Sequence, residues 1–254
     1  MQMNEKALAF AKLHSKGSPL RLYNAWDAGS AKVIAEAGAN AIATSSWAVA
    51  AAHDYRDGEQ IPQRLVEEIT ARIVQATPLP VTLDFEGGYT DDDATLADNI
   101  GCLIDIGVVG INFEDRVVGG AGLYPINRQA RRIAAIRGAA KSKGAEFFIN
   151  ARSDVFFGSD RDHAKLLEEA QQRASAYASA GASGFFAPGL LEEGLIQRLC
   201  AGVSLPVNLM MMKGAPSVER LGALGVSRIS YGASPYADAM ARLREAAVSA
   251  FSAG

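Results

Sequence analysis

Nine residues, Val81-Thr82-Leu83-Asp84-Phe85-Glu86-Gly87-Gly88-Tyr89, carry apolar and β-branched side chains straight into two carboxylates and a glycine pair. The pattern predicts a buried strand whose C-terminal end delivers acids into a cleft. Asp84 and Glu86 are two positions apart, so on a regular strand both point to the same side and can reach one cation. Glu114 ends a second apolar run, Gly110-Ile111-Asn112-Phe113-Glu114, and can approach the same point. No histidine stands at these ends, and a carboxylate-rich site of this kind suits Mg²⁺, or Mn²⁺, better than zinc. A lone acid at a strand end is more often a helix cap, and Asp91 and Asp92 are expected to do only that. Three acids on neighbouring strand ends point beyond capping.

A third run, Phe147-Phe148-Ile149-Asn150-Ala151-Arg152-Ser153-Asp154, ends on an arginine. An arginine placed there is largely buried and needs an anionic partner. Either the acids themselves or a substrate carboxylate held by two parallel bonds can serve, and the sequence leaves both open. Thr44-Ser45-Ser46 ends another run, where hydroxyls and free backbone N–H groups can bind carboxylate or phosphate oxygens, although the same residues are ordinary in turns. Lys213 raises the thought of an imine-forming aldolase, but one lysine just past a strand reads first as a solvated residue. His14, His53 and His163 form no ligand set; only His53 falls near the expected site.

Eight short apolar runs can supply the strands: Leu20–Leu22, Ala41–Ser45, Val81–Glu86, Gly110–Glu114, Phe147–Arg152, Gly184–Pro188, Pro206–Met211 and Arg228–Gly232. Helical patterns alternate with them at Ala28–Ala37, Gln63–Ala76, Asp91–Ile106, Arg128–Lys143, Arg161–Ala180, Leu191–Ala201, Ser217–Leu224 and Tyr236–Phe251, with an extra helix at Glu5–His14. Eight βα units in 254 residues predict an α/β fold closed into one (β/α)8 barrel spanning 1–254. Gly38, Gly107, Gly181 and Gly225 sit where helices must end in a left-handed residue before the next strand. Trp47 to Pro62 reads as a long loop after strand two, holding His53, Asp54, Arg56, Asp57 and Glu59, in the place where barrels carry lids.

Composition narrows the partners. A net charge of -3 gives no electrostatic reason to expect nucleic acid or an anionic membrane. Cys102 and Cys200 make no metal-binding pair or disulfide framework, which fits a reducing cytoplasm. No stretch reads as a signal peptide or is long and apolar enough to span a bilayer.

These motifs, taken in order, resemble those of the isocitrate lyase/phosphoenolpyruvate mutase superfamily, from about Leu20 to Tyr236. Tyr23-Asn-Ala-Trp-Asp27-Ala-Gly-Ser-Ala31 looks like the family's opening turn, and Thr44-Ser45-Ser46-Trp47 like its substrate-gripping Ser-Gly turn. Asp84-Phe85-Glu86-Gly87-Gly88-Tyr89 resembles the Asp-x-Asp-x-Gly-Tyr/Phe metal motif, Glu114-Asp115-Arg116 the Glu-Asp-Gln motif, and Ala151-Arg152-Ser153-Asp154 the Ala-Arg-Thr-Asp motif. The resemblance implies that Asp84 is the direct Mg²⁺ ligand and that Glu86, Glu114 and Asp57 hold its waters. Asp57 stands 27 positions before Asp84, at the family's gating-loop acid. The resemblance further implies that Arg152, with Ser45 and Ser46, binds a 2-oxo acid, with Tyr23, Trp47 and Asn208 as further substrate contacts. It implies a homo-oligomer, a dimer or dimer of dimers, that exchanges its last helix between subunits.

The departures refine this. Where the isocitrate and methylisocitrate lyases carry a Lys-Lys/Arg-Cys-Gly-His loop, this chain has Val117-Val-Gly-Gly-Ala-Gly-Leu-Tyr124, with no thiol and no base. The loop also lacks the basic or amide groups expected around a phosphonyl group. Trp47 and Tyr124 point to a partly apolar site beyond the carboxylate grip. The expected activity is C–C cleavage of a small 2-oxo or 2-hydroxy di-acid through a metal-stabilised enolate, by decarboxylation of an oxaloacetate-like acid or by retro-aldol lysis. The rival readings are a phosphonopyruvate hydrolase or phosphoenolpyruvate mutase, and a barrel that binds 2-oxo acids without turning them over.

Overall fold

A computed structural model describes residues 3–158 and 162–252. Its sheet contains β1 (Leu20–Leu22), β2 (Asn24–Ala25), β3 (Ile42–Thr44), β4 (Val81–Asp84), β5 (Gly110–Glu114), β6 (Phe148–Arg152), β7 (Gly184–Phe186), β8 (Val207–Met210) and β9 (Arg228–Ser230). All neighbours pair in parallel. The order runs β1-β9-β8-β7-β6-β5-β4-β3-β2. Only Tyr23 separates β1 from β2, so these are two pieces of one barrel strand and the sheet closes into the expected (β/α)8 barrel. The break lets Leu20–Leu22 follow β9 while Asn24–Ala25 follows β3.

Ten helices are seen among the described residues: α1 (Met3–Lys12), α2 (Ala28–Glu36), α3 (Ser46–Ala52), α4 (Gln63–Ala76), α5 (Asp93–Ile106), α6 (Ile126–Ser142), α7 (His163–Ser179), α8 (Glu193–Gly202), α9 (Val218–Ala223) and α10 (Ser234–Ser252). In α4 the buried Val66, Ile69, Thr70 and Ile73 fall on one face at helical spacing. Gly38, Gly107, Gly181 and Gly225 are all left-handed, at φ 96°, 99°, 102° and 96°. Arg161, at the expected start of α7, lies outside the described residues. The long loop needs a correction. Its first six residues, Trp47 to Ala52, belong to α3, where Ser46-Trp-Ala-Val-Ala-Ala-Ala52 joins good helix formers to a Ser45 cap that accepts from the Ala48 N–H.

One face of each strand joins the helices in the main core, as with Leu83, Ile111, Ile149 and Ile229. The other face fills the barrel. At its floor α1 acts as a plug, packing Ala7 and Phe10 against Leu20, Leu22, Ala43 and Phe148. His14 completes the plug. Its ring stacks on Phe148 at 4.1 Å and meets Phe10 edge-on at 4.8 Å, and its Nδ1 pairs with the Phe10 carbonyl at 2.9 Å. The other ring nitrogen has no partner. Burial, reinforced by the nearby Arg228 charge, pushes the His14 pKa down to about 3.

That depression sets a pH dependence. The unfolded chain binds a proton on His14 that the folded chain refuses, so the contribution is fully present above about 6.5 and is lost as pH falls towards 3. The slope is about 1.4 kcal/mol per pH unit within that window. Buried acids in the site bias the whole molecule the other way, so the measurement is the difference between parent and His14→Leu in urea unfolding from pH 7 to 4. The variant is expected to gain on the parent as pH falls; parallel profiles would rule the assignment out.

At the other end of the chain α10 buries only Pro235. Leu243 is 61% exposed, Val248 59% and Phe251 89%, so its apolar face has no cover among the described residues. Beside α2 lies an open cleft lined by Tyr23, Val33, Ile34 and Tyr231.

Candidate active site

Asp84 ends β4 with its carboxylate held from the start of α3 on one side and from β5 on the other. Its Oδ2 accepts from the Ser46 N–H at 3.2 Å and the Ser46 hydroxyl at 3.0 Å. Its Oδ1 accepts from Asn112 Nδ2 at 3.3 Å, and its own N–H donates to Thr44 Oγ1 at 2.9 Å. A carboxylate fixed on both oxygens by donors has its orientation set before any ligand arrives.

Glu86 lies two residues on, in a left-handed turn at φ 48°. It is buried, and its Oε2 accepts from the Glu59 N–H at 2.9 Å. Glu59 answers with its own side chain, which accepts from the Tyr89 N–H at 2.8 Å. Glu59 and Tyr89 are left-handed as well, at 57° and 62°. Three strained non-glycine residues in one reciprocal latch are what a functional loop retains and an ordinary turn avoids. The latch ties the segment after α3 to the metal-motif turn and carries Asp57 inward. Burial first, then the fields of Asp57, Asp84 and Glu114, push the Glu86 pKa up to about 8.

Glu114 and Arg152 are register partners across β5 and β6 and form an ion pair of 3.0 Å. Arg152 also grips Asp154 with two bonds, Nε to Oδ1 at 2.6 Å and Nη2 to Oδ2 at 2.9 Å. Burial holds the Glu114 carboxyl above its usual range, opposed by Arg152. The question left open by the sequence is therefore partly answered: the acids are partners of Arg152, and two of its N–H groups remain for a substrate. Behind this pair, Asp115 accepts from Arg173, from the Tyr177 hydroxyl and from the Asp154 N–H, which anchors the turn after β6.

Asp57 is brought in from the loop. Burial and the charge of Asp84 raise its pKa, while Arg152 and the Ser46 side chain lower it. Asp57, Asp84, Glu86 and Glu114 thus share one electrostatic neighbourhood of oxygen donors. Among the described residues, no three of them close on a single point at direct ligand distance. A set of carboxylate oxygens of this kind has the donor chemistry of Mg²⁺, which keeps several of its waters.

Other expected residues are placed differently. Tyr23 does not join the acids: its inward neighbours Leu22 and Asn24 are buried, and its exposed ring meets Tyr231 at 5.2 Å on the outer wall. Asn208 is fully inside the barrel, its amide committed to Asn150 and to the Leu209 and Arg228 carbonyls. Ser45 and Ser46 lie at the site with their hydroxyls engaged, one capping α3 and the other on Asp84. Trp47 is 42% exposed on the first turn of α3, 6.0 Å from the Tyr236 ring. Tyr124 packs over Arg132 and bonds Asp91, so it forms no apolar wall. Asp27 caps α2 by accepting from the Ser30 N–H at 2.7 Å. The neutral loop after β5 forms a tight turn, Val117 N–H to the Gly122 carbonyl at 3.1 Å, with Arg116 bridged to Leu123.

Asn112 escaped the sequence reading, which places Glu59 only among the charged residues of the long loop. Asn112 stands two residues before Glu114 and so faces the barrel interior with it, a relation that alternation alone reveals. Nothing in the local sequence marks Glu59, whose role depends on the fold of the loop.

Comparisons with known proteins give the family of the chain. The phosphoenolpyruvate phosphomutase family profile matches residues 10–251. An uncharacterized protein of Mycobacterium tuberculosis is 33% identical, over 90% of this chain and 83% of its own length. A protein of Corynebacterium glutamicum named as a probable 2-methylisocitrate lyase is 28% identical, over 88% of this chain and 72% of its own. Among solved structures, a Burkholderia cenocepacia protein described as a candidate phosphonomutase superposes with a TM-score of 0.94 at 45% identity, covering 98% of this chain and 99% of that one. A 2,3-dimethylmalate lyase, at 22% identity, shares the fold with a TM-score of 0.86 over 99% of this chain and 88% of its own. The chain belongs to the phosphoenolpyruvate phosphomutase family, within the superfamily that also contains the isocitrate lyases.

Proposed function

We propose that the protein is a Mg²⁺-dependent carbon–carbon lyase acting on a small 2-oxo or 2-hydroxy di-acid. The observation that carries this reading is Asp84, held on both oxygens and surrounded by Asp57, Glu86 and Glu114, with Arg152 alongside. When bound, Mg²⁺, or Mn²⁺ in its place, supplies Lewis-acid stabilisation of negative charge on a carbonyl oxygen. The free N–H groups of Arg152 bind the substrate carboxylate, and Ser45, Ser46 and Trp47 line its approach. Asp57 holds a water or a proton over the same space. The loop between Arg116 and Tyr124 offers no thiol and no base, which favours a reaction that needs neither. Decarboxylation of an oxaloacetate-like acid is such a reaction: the C–C electron pair stays on the 2-oxo acid as its enolate, carbon dioxide leaves, and a solvent proton completes pyruvate.

The test is turnover of oxaloacetate and of 2-hydroxy tri-acids with Mg²⁺, with and without chelator, followed by pyruvate and carbon dioxide. Metal-dependent release supports the reading; full turnover in excess chelator refutes it. The description of the similar Burkholderia structure favours a second reading, P–C chemistry. Phosphate release from phosphonopyruvate would select it. Tight binding of 2-oxo acids with no turnover of any of them would select a binding role.

The same reading includes a homo-oligomer. Its interface would bring the uncovered apolar face of α10 onto the open cleft beside α2 of another copy. Sedimentation is expected to give a dimer or tetramer for the parent, and a shift towards monomer for Leu243→Glu combined with Phe251→Glu. A monomeric parent would remove the proposal.

A further inference from the structure

The interior of the barrel, between the α1 plug and the acids at its rim, is polar where such interiors are ordinarily filled by branched apolar side chains. Asn112, Asn150, Asn208 and Arg228 occupy it, all buried. Gly184 makes room for them, since a Cβ there would stand 2.8 Å from Asn150 Oδ1.

The hydrogen bonds run in one direction. Asn208 Nδ2 donates to the Leu209 carbonyl at 2.7 Å and the Arg228 carbonyl at 3.2 Å, which leaves its Oδ1 facing Asn150. Asn150 Nδ2 donates to Asn208 Oδ1 at 3.0 Å and to Asn112 Oδ1 at 2.9 Å. Asn112 Oδ1 accepts a second bond, from Arg228 Nη2 at 2.9 Å. With that oxygen committed to two donors, the Asn112 amide cannot turn over without setting N–H against N–H. Its Nδ2 is thereby aimed at Asp84 Oδ1, 3.3 Å away.

Arg228 is the costly member of this chain. No carboxylate lies within ion-pair distance of it among the described residues, and its Nε and Nη1 have no partner. Burial pulls its pKa down, and the field of Asp84 is what opposes that. An apolar side chain of similar length would satisfy the packing at lower cost. Packing therefore does not account for an arginine here, whereas its bond to Asn112 does.

We infer that Arg228 is a positioning residue for Asp84, acting through Asn112. The inference rests on Asp84 being the metal ligand of the proposed function. Mn²⁺ affinity, measured by calorimetry on the full-length protein, tests it without relying on turnover. Arg228→Met is expected to melt at or above the parent temperature yet bind Mn²⁺ about tenfold more weakly. Asn112→Leu is expected to weaken binding similarly, and the double variant to be no weaker than the weaker single one, because both break the same chain. Unchanged affinity in Arg228→Met, or losses that multiply in the double variant, would overturn it. If Arg228→Met melts well below the parent, Arg228→Lys decides, since it keeps a charge and a donor. Affinity regained with Lys supports positioning; stability regained without affinity overturns it. Asp84→Asn is the reference. If that variant binds Mn²⁺ as the parent does, the metal reading fails and takes this inference with it. If it loses Mn²⁺ while Arg228→Met does not, only the inference fails.

Discussion

Asp84→Asn is expected to lower metal-dependent turnover by about 10³-fold or more and to abolish Mn²⁺ binding, while leaving the fold as stable as the parent. The substitution keeps shape and removes one charge. The amide oxygen can still accept from Ser46, which donates to Oδ2 through both its N–H and its hydroxyl. The new NH₂ then faces Asn112 Nδ2, where the parent has a 3.3 Å hydrogen bond, and this one mismatch costs about 1 kcal/mol. Against it, the variant relieves repulsion: the field of Asp84 is among the causes that raise Asp57, Glu86 and Glu114. The two effects oppose each other, so the melting temperature of the metal-free protein is expected to stay level or rise. Activity and stability moving apart is the diagnostic outcome. A variant that keeps a tenth of parent turnover would show that Asp84 is not the metal ligand.

The acids were readable because two simple rules place them. Side chains alternate along a strand, and a parallel barrel presents the C-terminal ends of its strands on one face. Those rules put Asp84, Glu114 and Arg152 together before any coordinates, and register places Glu114 directly opposite Arg152. They do not say which way a residue faces where a strand breaks. Tyr23 sits in the gap between β1 and β2, and its ring is exposed. Asn208 lies on the inner face, as expected of a site residue, but one level below the rim, and depth inside a barrel follows from the stagger of the strands rather than from any single segment. The segment after β3 was misread for another reason. Its charged residues suggested a loop throughout, while the alanine-rich stretch before them is helical. Asp57 still reaches the site, through left-handed turns at Asp54, a residue type that tolerates them, and at Glu59, which does not favour them.

Arg152→Met is expected to cost about 3–5 kcal/mol of folding stability, the largest effect of any single change in the site. The reason is what it leaves behind. Arg152 neutralises Glu114 at 3.0 Å and Asp154 at 2.6 Å, and those two side chains are only 8% and 1% exposed. Without the guanidinium, Glu114 is left buried without the cation it pairs with, and Asp154 keeps only the looser contact to Arg116 at 3.8 Å. The pH dependence has a definite sign. Glu114, already held above its usual range by burial, would lose the charge that opposes that rise, so protonation rescues the folded variant: its deficit against the parent is small near pH 4 and grows as pH rises through the range where the folded Glu114 ionises. Urea unfolding of parent and variant at pH 5 and pH 8 measures this directly. A deficit below about 1 kcal/mol at both pH values would mean that Arg152 is not tied to the acids in solution and is free for the substrate alone. A large deficit that grows with pH would establish the opposite order: the acids hold the guanidinium first, and the substrate carboxylate takes only the N–H groups they leave.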